Sequence, residues 1–227
     1  MSDPVLLVFD TSGPYCAAAV AGEGAVLARA IEPMQRGQAE VLVPLLQRVM
    51  EEAGCALPDL AAIGVGVGPG NFTGTRIAVA TARGLALSAG RPALGISSFD
   101  LICDPAARAA GPDEIVSVPA PREMAYVCQY RHGTPRAAPR LIDPADPPAD
   151  LRPPGIVRVS GHRAAEIARA LGADHREAAP EELPHRLARV AAWKWRNGID
   201  TERRPAPLYV RPPDAAPAAD PPPALLP

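Results

Sequence analysis

Apolar and polar residues alternate along the first hundred positions in blocks whose lengths are typical of an α/β fold. Five short apolar runs bounded by turn residues predict strands, and two longer stretches carry apolar residues at helical spacing. The predicted strands are residues 5–9, 15–20, 25–31, 63–67 and 93–97, and the predicted helices are residues 37–53 and 75–89. Glycine follows each helix directly, as expected at a helix C-terminus.

The second half of the chain has shorter apolar runs separated by proline-rich connections. They predict strands at 114–118, 126–130 and 156–160 and helices at 163–171 and 183–197. A domain boundary is predicted near residue 104, which divides the chain into an N-terminal lobe (1–103) and a smaller C-terminal lobe (104–211). Proline and alanine dominate residues 212–227 without periodicity, so this tail is predicted to be disordered.

The amino-acid composition argues against several classes of protein. The chain has 227 residues, 48% of them hydrophobic, and can bury a core as one large domain or two small ones. A net charge of -2 argues against nucleic-acid binding through overall charge. Four scattered cysteines without a CxxC pair argue against zinc and favour a reducing compartment. No signal or membrane segment is evident, so a cytoplasmic protein is expected.

A glycine-rich loop at residues 64–76, GVGVGPGNFTGTR, joins a predicted strand to a predicted helix. It matches neither the Rossmann fingerprint nor the Walker A loop, because the third glycine and the closing Gly-Lys pair are missing. Its backbone N–H groups could still face an anion at the helix N-terminus. We favour the other interpretation, that glycine allows strand, loop and helix to approach closely.

Asp10, Thr11 and Ser12 follow the first strand and are the second candidate for chemistry. A carboxylate and two hydroxyl groups could hold a metal-bound phosphate there. Equally, the side chains of Asp10 and Ser12 could form local hydrogen bonds to the backbone of a tight turn. The sequence alone favours neither.

Other catalytic patterns are incomplete. The four histidines lack the i,i+4 spacing of a helical metal pair, and residues 95–99, GISSF, miss the last glycine of a hydrolase motif. Trp193 and Trp195 flank Lys194 among arginines, which would suit bases stacked beside phosphates. The plainer interpretation is one buried tryptophan and one partly exposed, because residues two apart on a helix point in different directions.

The two helices of the N-terminal lobe have unusual surfaces. The helix at 75–89 is rich in alanine and carries few charges, so another helix could approach it closely. The helix at 37–53 has apolar residues on more than one face. Both could be enclosed between two domains, but we favour a protein–protein interface.

Several of these segments together resemble one family. They are residues 5–12 (VLLVFDTS), 38–44 (QAEVLVP), 66–77 (GVGPGNFTGTRI), 84–86 (GLA) and 95–98 (GISS), with weaker matches at Arg122, Tyr126 and 207–211 (PLYVR). The GPGxFTGxR run after an Asp-Thr-Ser strand is specific. Over roughly residues 5–102 the chain resembles the TsaB (YeaZ) family.

The resemblance implies an actin-like, ribonuclease-H-type fold of two lobes, with mixed sheets flanked by helices. It further implies a non-catalytic subunit that needs no cofactor or metal and binds the catalytic TsaD subunit. With the ATPase TsaE, such proteins support threonylcarbamoyl transfer to N6 of the adenosine beside the anticodon of tRNAs that read ANN codons. The tRNA contact is then indirect, and two copies of the chain can form a homodimer when the partner is absent.

In the family the two N-terminal helices bind the partner. The doubled apolar face of one helix and the small residues of the other predict that five residues lie at or just under that surface: Leu42, Leu46, Val49, Ile77 and Ala80. The residues assigned to the structural loop are Asp10, Thr11, Ser12, Gly68, Gly70, Thr73, Gly74 and Arg76.

The chain departs from the family pattern at two points. Gln38 replaces a histidine found in many relatives, and residues 119–121 (PAP) replace an Asp-Ala-Arg that would contribute contacts of the C-terminal lobe. The helix at 37–53 lacks the paired histidines that hold metal in TsaD. The alternative to a scaffold is an actin-like enzyme, a metallopeptidase or nucleotide hydrolase that uses Asp10 and the glycine loop.

Overall fold

A computed structural model describes residues 4–22, 24–104, 111, 113–151, 156–176 and 182–210. The first half of the chain forms a five-stranded sheet with two long helices. Its strands are β1 (Val5–Asp10), β2 (Tyr15–Gly22), β3 (Ala25–Pro33), β4 (Leu60–Gly68) and β5 (Ala93–Ser97). The helices are α1 (Gln38–Glu52), between β3 and β4, and α2 (Phe72–Ala89), between β4 and β5.

The strand order in this sheet is β3-β2-β1-β4-β5. β1, β2 and β3 form an antiparallel meander, whereas β4 and β5 run parallel to β1. Helices are needed to connect the parallel strands, and α1 and α2 supply these connections. Both helices pack on one face of the sheet over a core that includes Leu7, Phe9, Val65 and Leu45.

A second sheet repeats this arrangement. Its elements are β6 (Asp113–Pro119), β7 (Ala125–Arg131), β8 (Thr134–Pro135), β9 (Arg140–Ile142), β10 (Ile156–Gly161), α4 (Ala164–Leu171) and β11 (Asp174–Arg176). β7 pairs antiparallel with β6, with β8 and with β9, while β10 and β11 run parallel on the other side. In each sheet the first strand is central, with antiparallel strands on one side and parallel strands on the other.

Two more helices join the sheets. α3 (Ser98–Cys103) follows β5 and packs on the second sheet through Phe99 and Cys103. α5 (Leu183–Arg196) returns to the first sheet and covers the face opposite α1 and α2 through Leu187, Val190 and Ala191. The first sheet is therefore covered by helices on both faces, and its last layer comes from the C-terminal part of the chain.

All the predicted strands and helices are present, with ends that differ by three residues at most. α2 begins at Phe72, earlier than predicted, because Asn71 caps it by accepting a hydrogen bond from the Gly74 N–H at 2.8 Å. The sequence analysis missed α3, although Ser97 and Asp100 form a capping box there. It also missed the short strands β8, β9 and β11.

The predicted boundary near residue 104 falls directly after α3 and stays a prediction. The predicted disordered tail, residues 212–227, lies outside the described residues. Within the described ranges, no helix is long and apolar enough to cross a membrane.

Candidate functional site

The turn after β1 is built around the carboxylate of Asp10, whose residue is only 1% exposed. The Ser12 N–H donates to Oδ1 at 2.7 Å, while Ser12 Oγ and Tyr15 Oη donate to Oδ2 at 2.9 and 3.0 Å. Burial raises the pKa of Asp10, and these hydrogen bonds oppose the rise. Burial and the neighbouring Asp10 also raise the pKa of Tyr15. Both carboxylate oxygens thus hold the turn together.

The glycine loop packs directly on this turn. Thr11 Oγ1 donates to the Gly74 carbonyl at 2.7 Å, and the Asn71 N–H donates to the Ser12 carbonyl at 2.6 Å. A Cβ on Gly70 would overlap the Ser12 carbonyl oxygen, and one on Gly74 would overlap that of Thr11. The glycines therefore allow the close approach that the sequence analysis favoured for the loop.

The remaining loop residues differ in exposure, since Gly68 is buried and Thr73 is at the surface. Gly68 has a φ of 80°, and the Gly68–Pro69 peptide bond is cis. Thr73 is exposed in the first turn of α2. Among the residues that the structure describes, no group of three His, Cys, Asp or Glu side chains could hold a metal ion.

Arg76 links the start of α2 to the C-terminal segment. Its guanidinium carbon lies 3.7 Å from the ring centroid of Phe72, and its Nε donates to Tyr209 Oη at 2.7 Å. The Leu208 N–H donates to the Val67 carbonyl at 2.8 Å. Phe72 and Tyr209 are 45% and 46% exposed, so this cation–π cluster lies on the surface.

The residues proposed for partner binding divide into two groups. Leu42, Leu46 and Val49 are fully buried under α1 in the core of the first sheet, so their side chains are not part of the surface. Ile77 is partly buried, and Ala80 is exposed on α2. Substitution of the first group would disturb the core rather than report on a partner.

The outward face of these helices is defined by other residues. Val43 on α1 is 47% exposed, and Leu87 on α2 is 81% exposed. Ala80, Gly84 and Leu87 follow one another at helical spacing on the solvent side of α2, and a Cβ on Gly84 would meet open space. We call Val43, Ala80, Gly84 and Leu87 the helix face. The exposure of Val43 agrees with the sequence analysis, which found apolar residues on more than one face of the helix at 37–53.

The sequence analysis missed a buried ionic cluster around Lys194. Lys194 Nζ donates to the Gly95 carbonyl at 2.6 Å and lies 3.2 Å from Asp100 Oδ2 and 3.3 Å from Asp200 Oδ2. Tyr130 Oη donates to Asp100 Oδ1 at 2.8 Å. The cluster borders a cavity of about 520 Å³. The sequence did offer one sign that Lys194 has a special role, because it is the only lysine in the chain.

Trp193 and Trp195 are both partly buried, so the expectation that one would be buried is wrong. Trp195 packs against the core beneath α5. Nearby, Arg189 forms a salt bridge with Asp104, with 2.5 Å between Nη2 and Oδ2.

Comparison with known proteins agrees with this architecture. Residues 29–180 match the model of the family described as TsaD: tRNA N6-adenosine threonylcarbamoyltransferase. The tRNA threonylcarbamoyladenosine biosynthesis protein TsaB of Escherichia coli is 32% identical over 56% of this chain, and the match spans only about half (54%) of the E. coli protein. An uncharacterized protein of Mycobacterium tuberculosis is 31% identical over 94% of this chain and 95% of its own length.

Two solved structures are similar to this chain over nearly its whole length. A Pseudomonas aeruginosa protein described as similar to peptidase YeaZ has a TM-score of 0.69 at 27% identity, covering 92% of this chain and 100% of that one. YeaZ from the same organism has a TM-score of 0.66 at 27% identity, covering 91% and 99%.

The strand order of the two sheets and these likenesses define an actin-like, ribonuclease-H-type protein, which confirms the predicted fold class. The glycine loop and the Asp-Thr-Ser turn lie in the N-terminal half, where the resemblance was clearest. The chain belongs to the TsaB (YeaZ) family, as its sequence motifs predicted.

Proposed function

We propose that the chain is an accessory subunit in the biosynthesis of threonylcarbamoyladenosine in tRNA, and that it binds a TsaD-type transferase through the helix face. The names of its TsaB relatives and the matched family model support the pathway. In this role the chain positions the transferase and contributes no catalytic group. A TsaE-type ATPase acts on the assembled complex, and the tRNA is the substrate of the transferase.

The exposed surface of α2 carries this proposal. Leu87, 81% exposed, is the most exposed large apolar side chain among the described residues. Ala80 and Gly84 precede it and allow a partner helix to approach the α2 backbone closely. Val43 adds an apolar side chain from the adjacent helix α1. Arg83 is exposed beside these residues, so the surface combines small and apolar side chains with one arginine, a composition typical of protein interfaces.

The geometry of Asp10 also favours a scaffold over the enzyme alternative. Both oxygens of its carboxylate are engaged by Ser12 and Tyr15, and the glycine loop is filled by the backbone of the same turn. These contacts occupy the groups that a nucleotide hydrolase or metallopeptidase would need for its ligand.

Ala80→Glu is the variant that tests the helix face. A carboxylate on the helix face must be desolvated when the partner binds, and a surface ion pair with the exposed Arg83 one turn away would offset little of that cost. We therefore expect affinity for the TsaD-type subunit to fall at least about tenfold. The measurement is co-purification of the two proteins, followed by light scattering of the eluate. Unsubstituted protein should elute as a one-to-one complex.

Ala170→Glu is the matched control, because Ala170 is also an exposed helical alanine but lies on α4, beside the second sheet. It should leave the complex intact. If Ala80→Glu binds as well as Ala170→Glu while both remain folded, the helix face is not the interface. Light scattering of the free chain shows whether the same face forms a homodimer.

A further inference from the structure

A concave surface at the C-terminal end of α2 gathers four arginines. This cavity has a volume of about 590 Å³, and we call it the arginine cavity. Arg83 and Arg91 come from α2 and the turn after it, and Arg203 and Arg204 come from the segment after α5. Among the described residues that line it, Glu202 is the only acidic one. A chain with net charge -2 therefore has a strongly positive local surface.

These guanidinium groups are available to a ligand. Arg83, Arg203 and Arg204 are exposed and form no ion pair with any residue that the structure describes. Arg91 donates a hydrogen bond from Nη2 to the Pro58 carbonyl at 3.1 Å, and within the described ranges its remaining guanidinium N–H groups have no partner. The C-terminal end of α2 contributes about half a negative charge, which four guanidinium groups outweigh.

A second cavity lined by arginines carries less unneutralised positive charge than the arginine cavity. The cavity beside Trp193 also contains two arginines, but Arg189 there is paired with Asp104. The positive charge of the arginine cavity is both larger and less neutralised. Unpaired arginines that converge on a concave surface match the geometry of phosphate groups, which guanidinium binds in a bidentate manner.

From this arrangement we infer that the arginine cavity binds the phosphate backbone of the tRNA held by the complex. Gly84 and Leu87 belong both to the cavity lining and to the helix face, so the two surfaces are continuous. An RNA that lies on a partner bound at the helix face can therefore reach the arginines directly. This inference rests on the proposed function, and it gives the chain a direct contact with tRNA.

The test is a titration of an unmodified tRNA that reads an A-starting codon against the complex with the TsaD-type subunit. Arg83→Gln/Arg203→Gln removes one arginine from each side of the cavity. Phosphate contacts make affinity depend on salt, so we expect about tenfold weaker binding and a slope of log K against log salt reduced by about 2. The matched control, Arg136→Gln/Arg169→Gln, removes two exposed arginines beside the second sheet and should change neither.

Two results would overturn the inference. One is an unchanged tRNA affinity and salt slope in the double variant while the complex stays assembled. The other is loss of the transferase subunit from the double variant, which would assign the arginines to an acidic surface of that protein. Failure of the proposed function has its own signal, because the unsubstituted chain would then not co-elute with the transferase. In that case the same two variants are compared in tRNA titrations of the chain alone, with the same expected difference.

Discussion

At the scale of single residues, Asp10 shows how one carboxylate organises a turn. It accepts hydrogen bonds from Ser12 and Tyr15 in an environment closed to solvent. The sequence left a metal-phosphate role and a structural role equally open for it. The contacts of both oxygens support the structural role, and the raised pKa shows that burial still opposes its charged form.

Asp10→Asn should change how stability depends on pH. Since folding raises the pKa of Asp10 above its ordinary 3.8, the folded state binds the proton more tightly than the unfolded state. The associated stability is fully present below pH 3.8 and is lost as pH rises through the folded-state pKa. The free energy of unfolding of the Asn variant, from urea denaturation at a series of pH values, should therefore lack this decline. Parallel pH curves for the two proteins would contradict the assignment.

At the scale of elements, α2 has one end that packs tightly inside the protein and another that is open to solvent. Its first turn packs against the backbone of the Asp-Thr-Ser turn, with Gly74 facing the Thr11 carbonyl. Three turns later, Gly84 faces open space on the helix face. The same residue type is thus essential for packing at one end and leaves room for a partner at the other.

Substituting alanine for Gly74 and for Gly84 in separate variants tests these two roles. Gly74→Ala should destabilise the fold by about 3 kcal/mol or more, because its Cβ overlaps a backbone oxygen that only a shift of the turn can relieve. Gly84→Ala should stabilise it by about 0.5–1 kcal/mol through better helix propensity. Thermal and urea unfolding of both variants checks this, and equal effects at the two positions would show that the close approach is absent.

At the scale of the whole molecule, Lys194 connects parts that are distant in sequence. From α5 it contacts the middle of β5 at Gly95, Asp100 on α3 and Asp200 in the C-terminal segment. Tyr130 from the second sheet completes the cluster through Asp100. Burial and the charge of Asp100 raise the pKa of Tyr130, so its hydroxyl stays protonated and keeps donating. The cluster thus ties the two sheets and the C-terminal segment together.

Lys194→Met should destabilise the protein by about 3–5 kcal/mol, because it leaves the buried Asp100 carboxylate without its cation. Adding Asp100→Asn should recover part of this loss. Arg29→Gln, which breaks an exposed pair with Glu182, is the control and should cost far less. A loss for Lys194→Met no larger than for Arg29→Gln, in urea unfolding, would show that the cluster does not stabilise the fold.

The long strands and helices could be predicted because their signals are local in the sequence. The apolar runs of β1 to β5 and the helical spacing of α1 and α2 lie in continuous stretches of sequence, and glycine marks the helix ends. The family followed from short motifs in several of these stretches, between residues 5 and 98. Short elements such as β8 and β11 escaped because two or three residues carry no periodicity, and their strand conformation depends on pairing with β7 and β10.

The sequence by itself determined the fold class, the order of the long elements and the family, since each depends on neighbouring residues. The tertiary structure alone decided which apolar face of α1 is buried, leaving Leu42, Leu46 and Val49 inside and Val43 outside. It also brought Lys194 into contact with Asp100, and placed Arg83 and Arg203 in the lining of one cavity. Such contacts join distant parts of the chain, and they form only when folding of the whole core offsets the entropy of closing the long loops between them.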